Sequence, residues 1–170
     1  RQELSAFGDA VGRSTHELEQ MASTVQDTFV PLGFARGEAA KLSTNLTKLA
    51  VDVASFNNAN DVETMEAFKS ALVGNHEAVR RFGIVITETE LKAELLRMGI
   101  TKNSQEVDAA TKVQARLNLI MAGTTDAQGD ATRTAGSFAN TSRALKAELS
   151  ELADEVGLTL VPTFTKLTQK

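Results

Sequence analysis

The stretch that decides the fold is KLSTNLTKLAVDVASF, residues 41–56, and the polar run NNAN follows it at positions 57–60. The large apolar residues of this stretch recur at alternating steps of four and three, at Leu42, Leu46, Leu49, Val53 and Phe56. Because an α-helix completes a turn every 3.6 residues, this spacing places all five side chains on one face. The stretch therefore predicts an amphipathic α-helix that ends at the asparagine run.

The composition extends this prediction to the whole chain. Hydrophobic residues make up 42% of the 170 positions, but aromatic residues only 5%, all of them Phe, and there are two prolines. Ala, Leu, Glu, Lys and Gln, which favour helices, are abundant, whereas a β-rich domain normally contains more Val, Ile, Tyr and Trp. The composition predicts an all-α fold.

Helix boundaries are marked in the middle of the chain. Three pairs have the spacing of a capping box, in which side chains bond the free amides of a helix start: Asn60 with Glu63, Thr87 with Glu90, and Asn103 with Glu106. Four glycines follow apolar-periodic segments, as expected of helix ends, at positions 74, 83, 99 and 123. The β-branched run Ile84–Val85–Ile86 precedes a cap and predicts an extended connector. Residues 34–122 are therefore predicted to form a compact multi-helix module.

The flanks of this module carry narrower apolar stripes. Residues 1–30 predict one amphipathic helix, residues 124–137 a polar linker or weak helix, and residues 138–170 a long amphipathic helix. A stripe with a seven-residue repeat is typical of coiled-coil-like helices, although such a stripe can also belong to an ordinary core. The predicted helix–helix interface, within the chain or between copies, consists of Leu4, Phe7, Val11, Leu18, Met21, Val25, Leu145, Leu149, Leu152 and Val156.

Catalytic, cofactor and metal sites are not indicated. The pair His16–Glu17 begins like a zinc-protease motif, but position 20 is Gln where the second histidine ligand is needed. His76 is the only other histidine. The carboxylates with helical spacing fall on predicted exposed faces with basic neighbours, namely Glu88, Glu90, Glu94, Glu148 and Glu151. We therefore expect a protein that is not an enzyme and needs no cofactor.

The net charge and the lengths of basic and apolar stretches limit the classes of partner that we expect. The net charge is −4, and no basic run exceeds Arg80–Arg81, so direct sequence-specific nucleic-acid binding is not expected. Zero cysteines fit synthesis in a reducing cytoplasm. No apolar stretch approaches the roughly 18 residues of a membrane span, and no signal peptide is visible. The chain begins at Arg1 and ends within an apolar-periodic stretch, so we expect an internal fragment of a longer protein.

Several blocks, in this order and spacing, resemble the region shared by tail tape measure proteins of tailed phages and prophages. The resemblance covers roughly residues 30–165, and residues 1–29 share only helical character. The first blocks are LGF at 32–34, AA at 39–40, LTKLAVDVASFNN at 46–58 and ALVG at 71–74. The others are RFGIVIT at 81–87, ELKA at 90–93, ARLNLI at 115–120, DAQGD at 126–130 and LKAEL at 145–149.

The resemblance implies a structural role in a virion. Proteins of this family are long helical chains, present in several copies, that lie in the lumen of the tail tube, set tail length and leave ahead of the DNA. By resemblance, the partners are the tail tube protein, tail assembly chaperones and distal tail proteins, and the chain is made in the bacterial host cytoplasm and forms a homo-oligomer. A fully helical chain of this length would span about 255 Å at 1.5 Å per residue.

Two other classes remain open. A helical signalling or adaptor coiled coil shares long amphipathic helices and few aromatic residues, but should show heptads unbroken through the middle of the chain. A helical peptidoglycan-lytic domain needs a buried Glu in an aromatic-lined cleft, and this chain has no Trp or Tyr to stack against a sugar.

Overall fold

The structure, a computed structural model, describes residues 2–101, 106–137 and 140–152. Within these ranges the chain is all-α and contains no β-strand, which confirms the predicted fold class. Two short 3-10 helices, Val30–Leu32 and His76–Phe82, accompany the α-helices. The α-helices are α1 (Gln2–Val11), α2 (Thr15–Phe29), α3 (Arg36–Phe56), α4 (Asp61–Leu72), α5 (Glu88–Arg97), α6 (Ala109–Gly123), α7 (Asp130–Arg133) and α8 (residues 140–152).

Helix α3, which contains the deciding stretch, lies at the centre of the fold. It packs against α2, α4 and α7. Every residue from Leu49 to Ala54 is buried, so this part of the helix is covered on all sides. Leu42 is half-buried, and Phe56 at the end of the helix is 54% exposed although it shares the spacing of the buried face. The apolar spacing therefore identified the helix, whereas its depth in the fold comes from three neighbouring helices.

The N-terminal 30 residues form two helices where the sequence predicts one. Gly12 has a φ of +63°, a left-handed conformation that ends α1. Ser14 then opens α2, because its side chain accepts a hydrogen bond from the amide of Glu17. Within the seven-residue apolar repeat of residues 4–25, position 14 is a polar serine because Ser14 is the N-cap of α2.

The main core crosses the predicted boundaries. Met21, Val25 and Phe29 of α2 belong to the same buried cluster as the apolar residues of α3, α4 and α6. Ala127 belongs to it as well. The main core therefore extends beyond residues 34–122 on both sides. On the N-terminal side the reason is that α2 provides the apolar face that covers α3.

Two of the three predicted caps are present. Asn60 accepts a hydrogen bond from the amide of Glu63 at the start of α4, and Thr87 with Glu90 forms a complete capping box at the start of α5. The connector before Thr87 forms neither helix nor strand, and its residues Ile84 and Ile86 are buried.

The third predicted cap falls partly outside the described residues, and α6 begins after it. Asn103 lies outside the described residues, and Glu106 lies in a turn before the helix. Helix α6 starts at Ala109, where the side chain of Asp108 accepts a hydrogen bond from the amide of Thr111 at 2.9 Å. Asp108 caps a helix as well as Asn does, so the later start needs no glutamate at the third position.

Residues 124–137 are not a solvated linker. Thr124, Ala127, Asp130 and Ala131 are buried against the bundle. The carboxylate of Asp52 on α3 accepts hydrogen bonds from the amides of Gly129 at 2.8 Å and Ala131 at 3.2 Å. Burial raises the pKa of Asp52, and these two hydrogen bonds oppose that shift. The backbone of this polar segment therefore packs onto α3 by donating to a buried carboxylate.

We expect Phe29→Ala to destabilise the fold by about 3–5 kcal/mol, because Phe29 is fully buried and contacts Phe34 at 5.3 Å between ring centroids. Phe56→Ala removes the same side chain at a half-exposed position and should change stability by less than about 0.5 kcal/mol. Urea unfolding followed by circular dichroism measures both. Equal losses in the two variants would contradict the assignment of α2 to the core.

Candidate functional site

The N-terminal part of the predicted helix–helix interface is used inside the fold. Leu4, Val11 and Leu18 form a second buried cluster with Val51 and Ala131. Met21 and Val25 belong to the main core. Phe7 is half-buried beside the second cluster, with Nζ of Lys48 5.8 Å from its ring centroid. In this fold, these six side chains therefore contact their own chain.

The C-terminal part of the predicted interface faces solvent. Leu145, Leu149 and Leu152 lie at steps of four and three on α8 and are 58%, 59% and 56% exposed. We call these three residues the leucine stripe. Val156, the last residue of the predicted interface, lies outside the described residues.

Small and polar residues form the opposite face of α8. Asn140, Ala144 and Glu151 recur at helical spacing and face the bundle. The carboxylate of Glu151 accepts a hydrogen bond from the amide of Thr15 at the start of α2, at 3.0 Å. Helix α8 is therefore amphipathic with its apolar side turned outward, the reverse of an ordinary surface helix.

Asn140 holds the start of α8 to the bundle. Its side chain is buried, and its Nδ2 donates to Oγ of Ser55 at 3.2 Å, and to the carbonyl and Oγ1 of Thr134 at 3.0 and 2.8 Å. Its Oδ1 accepts from Arg13 at 3.2 Å and from Arg143 at 3.0 Å. A buried amide satisfied on both its oxygen and its nitrogen fixes one orientation of the helix that carries it.

Two arginines extend this arrangement, which we call the Asn140 cluster: Arg13, Ser55, Asp61, Thr134, Asn140 and Arg143. The buried Arg13 side chain forms an ion pair with Asp61 at the start of α4 and donates to the carbonyl of Val11. Arg143 donates to Oδ1 of Asn58 at 3.1 Å and to the carbonyl of Ala59 at 3.3 Å. The cluster thus joins α8 to the α1–α2 turn and to the α3–α4 turn.

Gly12 allows α8 to come this close. A Cβ atom on Gly12 would lie 2.4 Å from Cβ of Ala144, a distance that real Cβ atoms do not reach. The left-handed φ of Gly12 disfavours a side chain independently of this contact. The same glycine therefore ends α1 and provides the surface on which α8 packs.

The histidines and carboxylates considered in the sequence are dispersed. His16 is exposed on α2, and His76 starts the 3-10 helix. Glu90 belongs to a cap. The prediction that Glu94 is exposed is wrong: it is buried, and it accepts hydrogen bonds from Arg97 and Asn118, which joins α5 to α6. No group of three potential metal ligands occurs in the described ranges. These carboxylates have structural partners in the fold.

His76 is the described histidine with a perturbed environment. Burial lowers its pKa, and the nearby charge of Arg116 lowers it further, while Glu88 acts in the opposite direction. Nε2 of His76 and Nε of Arg116 are buried without a hydrogen-bond partner. The structure therefore favours neutral His76.

An open groove of about 880 Å³ lies where α4 meets the 3-10 helix. Its apolar lining includes Val62, Ala67 and Val73, and its rim carries Glu63, which pairs with Arg81. The groove is wide and open, and its charges already have partners within the chain. The groove therefore has the volume to hold a ligand but no defined group that would recognise a particular one.

Comparison of the chain with protein-family models, curated proteins and solved structures gives no match. Across the described residues, no helix has both the length and the apolar character needed to cross a bilayer. The leucine stripe is an exposed apolar surface on α8, which the Asn140 cluster holds to the bundle.

The Asn140 cluster was not predicted from the sequence. A signal for it does exist, because the small and polar residues Asn140, Ala144, Ala147 and Glu151 repeat at steps of four and three opposite the leucines. That pattern predicts a second packing face on α8. Its partners, Arg13 and Ser55, lie about 80 to 130 residues away in sequence, and no local pattern links them.

We expect Asn140→Ala to release α8 without unfolding the bundle. The substitution removes five hydrogen bonds and leaves a buried donor of Arg13 and the accepting Oγ of Ser55 with fewer partners, a loss of about 1–3 kcal/mol. Hydrogen exchange of residues 141–152 should accelerate at least about ten-fold, while exchange in α3 stays unchanged. Thr141→Ala, at the exposed neighbouring position, is the control; equal acceleration in both variants would contradict this role.

Stability should fall on mild acidification. Because the pKa of His76 is lower in the folded state than its usual value of about 6.5, unfolded chains bind the proton more tightly. The contribution of His76 is complete above pH about 6.5 and decreases as the pH falls through that value towards the lower folded pKa. His76→Gln should therefore reduce the stability difference between pH 7.5 and pH 5.5, measured by urea unfolding. An unchanged difference in the His76 variant would refute the assignment.

Proposed function

We propose that this chain is a folded helical module of a phage tail tape measure protein, with a structural and not a catalytic role. One observation carries the proposal. Two of the sequence blocks that resemble this family, residues 46–58 and 126–130, meet in the fold through the hydrogen bonds of Asp52 with Gly129 and Ala131. Blocks that are distant in sequence thus supply the two sides of one buried contact.

The other blocks also lie on elements that build the fold. Residues 81–87 comprise the end of the 3-10 helix, the connector and the cap of α5. Residues 115–120 lie on α6, where Ala115, Leu117 and Ile120 are buried. The resemblance is therefore to residues with a packing role, which favours a shared module over a chance similarity of helical composition.

The fold determines how much length this segment would add to a tail. Helix α3, the longest helix described, has 21 residues, about 32 Å at 1.5 Å per residue, and α2, α4 and α7 pack against it. Residues 2–137 extended as one helix would span about 200 Å. A module that stays folded therefore adds far less to tail length than its residue number implies, and the proportional part of the tape belongs to other segments.

The remaining roles follow from the resemblance and stay part of the proposal. The module would lie in the tail lumen, contact the tail tube protein, be accompanied before assembly by tail assembly chaperones, meet distal tail proteins, and leave ahead of the DNA. A signalling or adaptor coiled coil is less favoured because the described helices are short and are separated by caps and by glycines with positive φ.

In-frame deletion of residues 2–137 in a phage that encodes this chain tests the proposal. Electron microscopy should show tails shortened by a few tens of Å, on the order of the length of α3, if the module is folded in the tail, or by about 200 Å if it is extended there. The control is Leu96→Gln, an exposed substitution that leaves chain length unchanged and should leave tail length unchanged. Tails of parental length after the deletion would contradict a tape measure role.

A further inference from the structure

Helix α8 contributes no side chain to the apolar clusters that hold the rest of the described fold together. Between residues 140 and 152 only Asn140 is buried, and it is polar. The much shorter α7, by contrast, supplies Ala131 to the second cluster. Because burial of apolar surface is the main favourable term in folding, the bundle does not need α8 to complete its core.

Contacts of different strength attach the two ends of α8 to the bundle. At its start, the buried side chain of Asn140 makes five hydrogen bonds. In the middle, Ala144 lies against Gly12. At its far end, the exposed carboxylate of Glu151 accepts a hydrogen bond from the amide of Thr15 at 3.0 Å. Water readily replaces an exposed hydrogen bond, so the far end is the weaker attachment.

Glu151 binds at the start of α2. Thr15 is the first residue of that helix, and the amides of a first helical turn have no acceptor within the helix. The side chain of Ser14 accepts from the amide of Glu17, whereas the amide of Thr15 donates to Glu151. The partial positive charge of a helix N-terminus also favours a carboxylate at this position. Glu151 is therefore the group that closes the far end of α8 on the bundle.

We propose that α8 is a hinged strap, with the Asn140 cluster as its hinge and Glu151 as its latch. When the hydrogen bond between Glu151 and Thr15 breaks, residues 141–152 swing away, while Asn140 stays bound and the bundle stays folded. A helix of this length is marginally stable alone in water, so the open strap loses part of its helical structure. Opening uncovers Gly12 and the start of α2, which the closed strap covers.

Amide hydrogen exchange of the 170-residue chain, followed residue by residue by NMR, tests the latch. Glu151→Ala should accelerate exchange of the Thr15 amide and of residues 148–152 at least about five-fold, with a smaller effect towards the hinge and none in α3. Glu148→Ala is the matched control, because Glu148 is exposed one turn earlier on the same helix, and it should exchange like the parent. Unchanged exchange of Thr15 in Glu151→Ala, or equal acceleration in Glu148→Ala, would overturn the inference.

Distances between two spin labels distinguish an opening strap from the loss of a single hydrogen bond. The chain has no native cysteine, so Ser23→Cys on α2 and Leu149→Cys on α8, both at exposed positions, each carry one label. The parent should show one main distance, and Glu151→Ala should add a longer and broader population. Glu148→Ala should give the parental distribution. The parental distance alone after Glu151→Ala would show that α8 stays closed without the latch and would contradict the proposal.

This inference goes beyond the proposed function and does not depend on it. Opening of the strap is measured on the isolated chain, whereas the tape measure proposal is tested by tail length in a phage. An opening strap with unchanged tail length after the deletion would contradict only the tape measure role. Shortened tails with an α8 that stays closed in Glu151→Ala would contradict only the strap.

Discussion

The burial of α3 is the constraint on which the rest of the structure depends. Between Leu49 and Ala54 this helix has no exposed side, so α2, α4 and α7 must each present a complementary face. Such a helix cannot be stable alone in water, since its apolar surface is removed from solvent only by the neighbouring helices. Its alanines, including Ala50 and Ala54, allow these neighbours to approach closely because they add little volume. With eight Phe and no Trp or Tyr in the chain, the core is filled mainly by aliphatic side chains.

Buried polar groups then determine which arrangement of helices is adopted. Asp52 occupies a buried position on α3 and is satisfied only when residues 129–131 fold over it. Asn140 plays the corresponding role for α8, and it needs the side chains of Arg13 and Ser55 as well as the carbonyl of Thr134. An unsatisfied buried polar group costs more than a formed hydrogen bond contributes, so these residues disfavour alternative packings more than they add to stability.

Helix α8 is attached to the bundle differently from the core helices. It is held by the hydrogen bonds of Asn140 to Arg13 and Ser55, and its leucines stay exposed. A helix held by its leucines would have buried them.

The sequence by itself determined the all-α class, the position of α3, and the caps at Asn60 and Thr87. It also indicated the connector at Ile84–Ile86. These features can be predicted because helix periodicity and capping are local properties of a few neighbouring residues. It also identified the spacing of the leucine stripe. Only the tertiary structure decided which apolar stripes became core, since the repeats at 4–25 and 145–152 look alike in sequence but only the first meets α3 and α7. The folding of residues 124–137 onto Asp52 and the Asn140 cluster likewise depend on partners about 70 to 130 residues away. Contacts between residues so far apart in the sequence form where helix surfaces are still uncovered after the rest of the chain has packed. No pattern among neighbouring residues encodes such contacts.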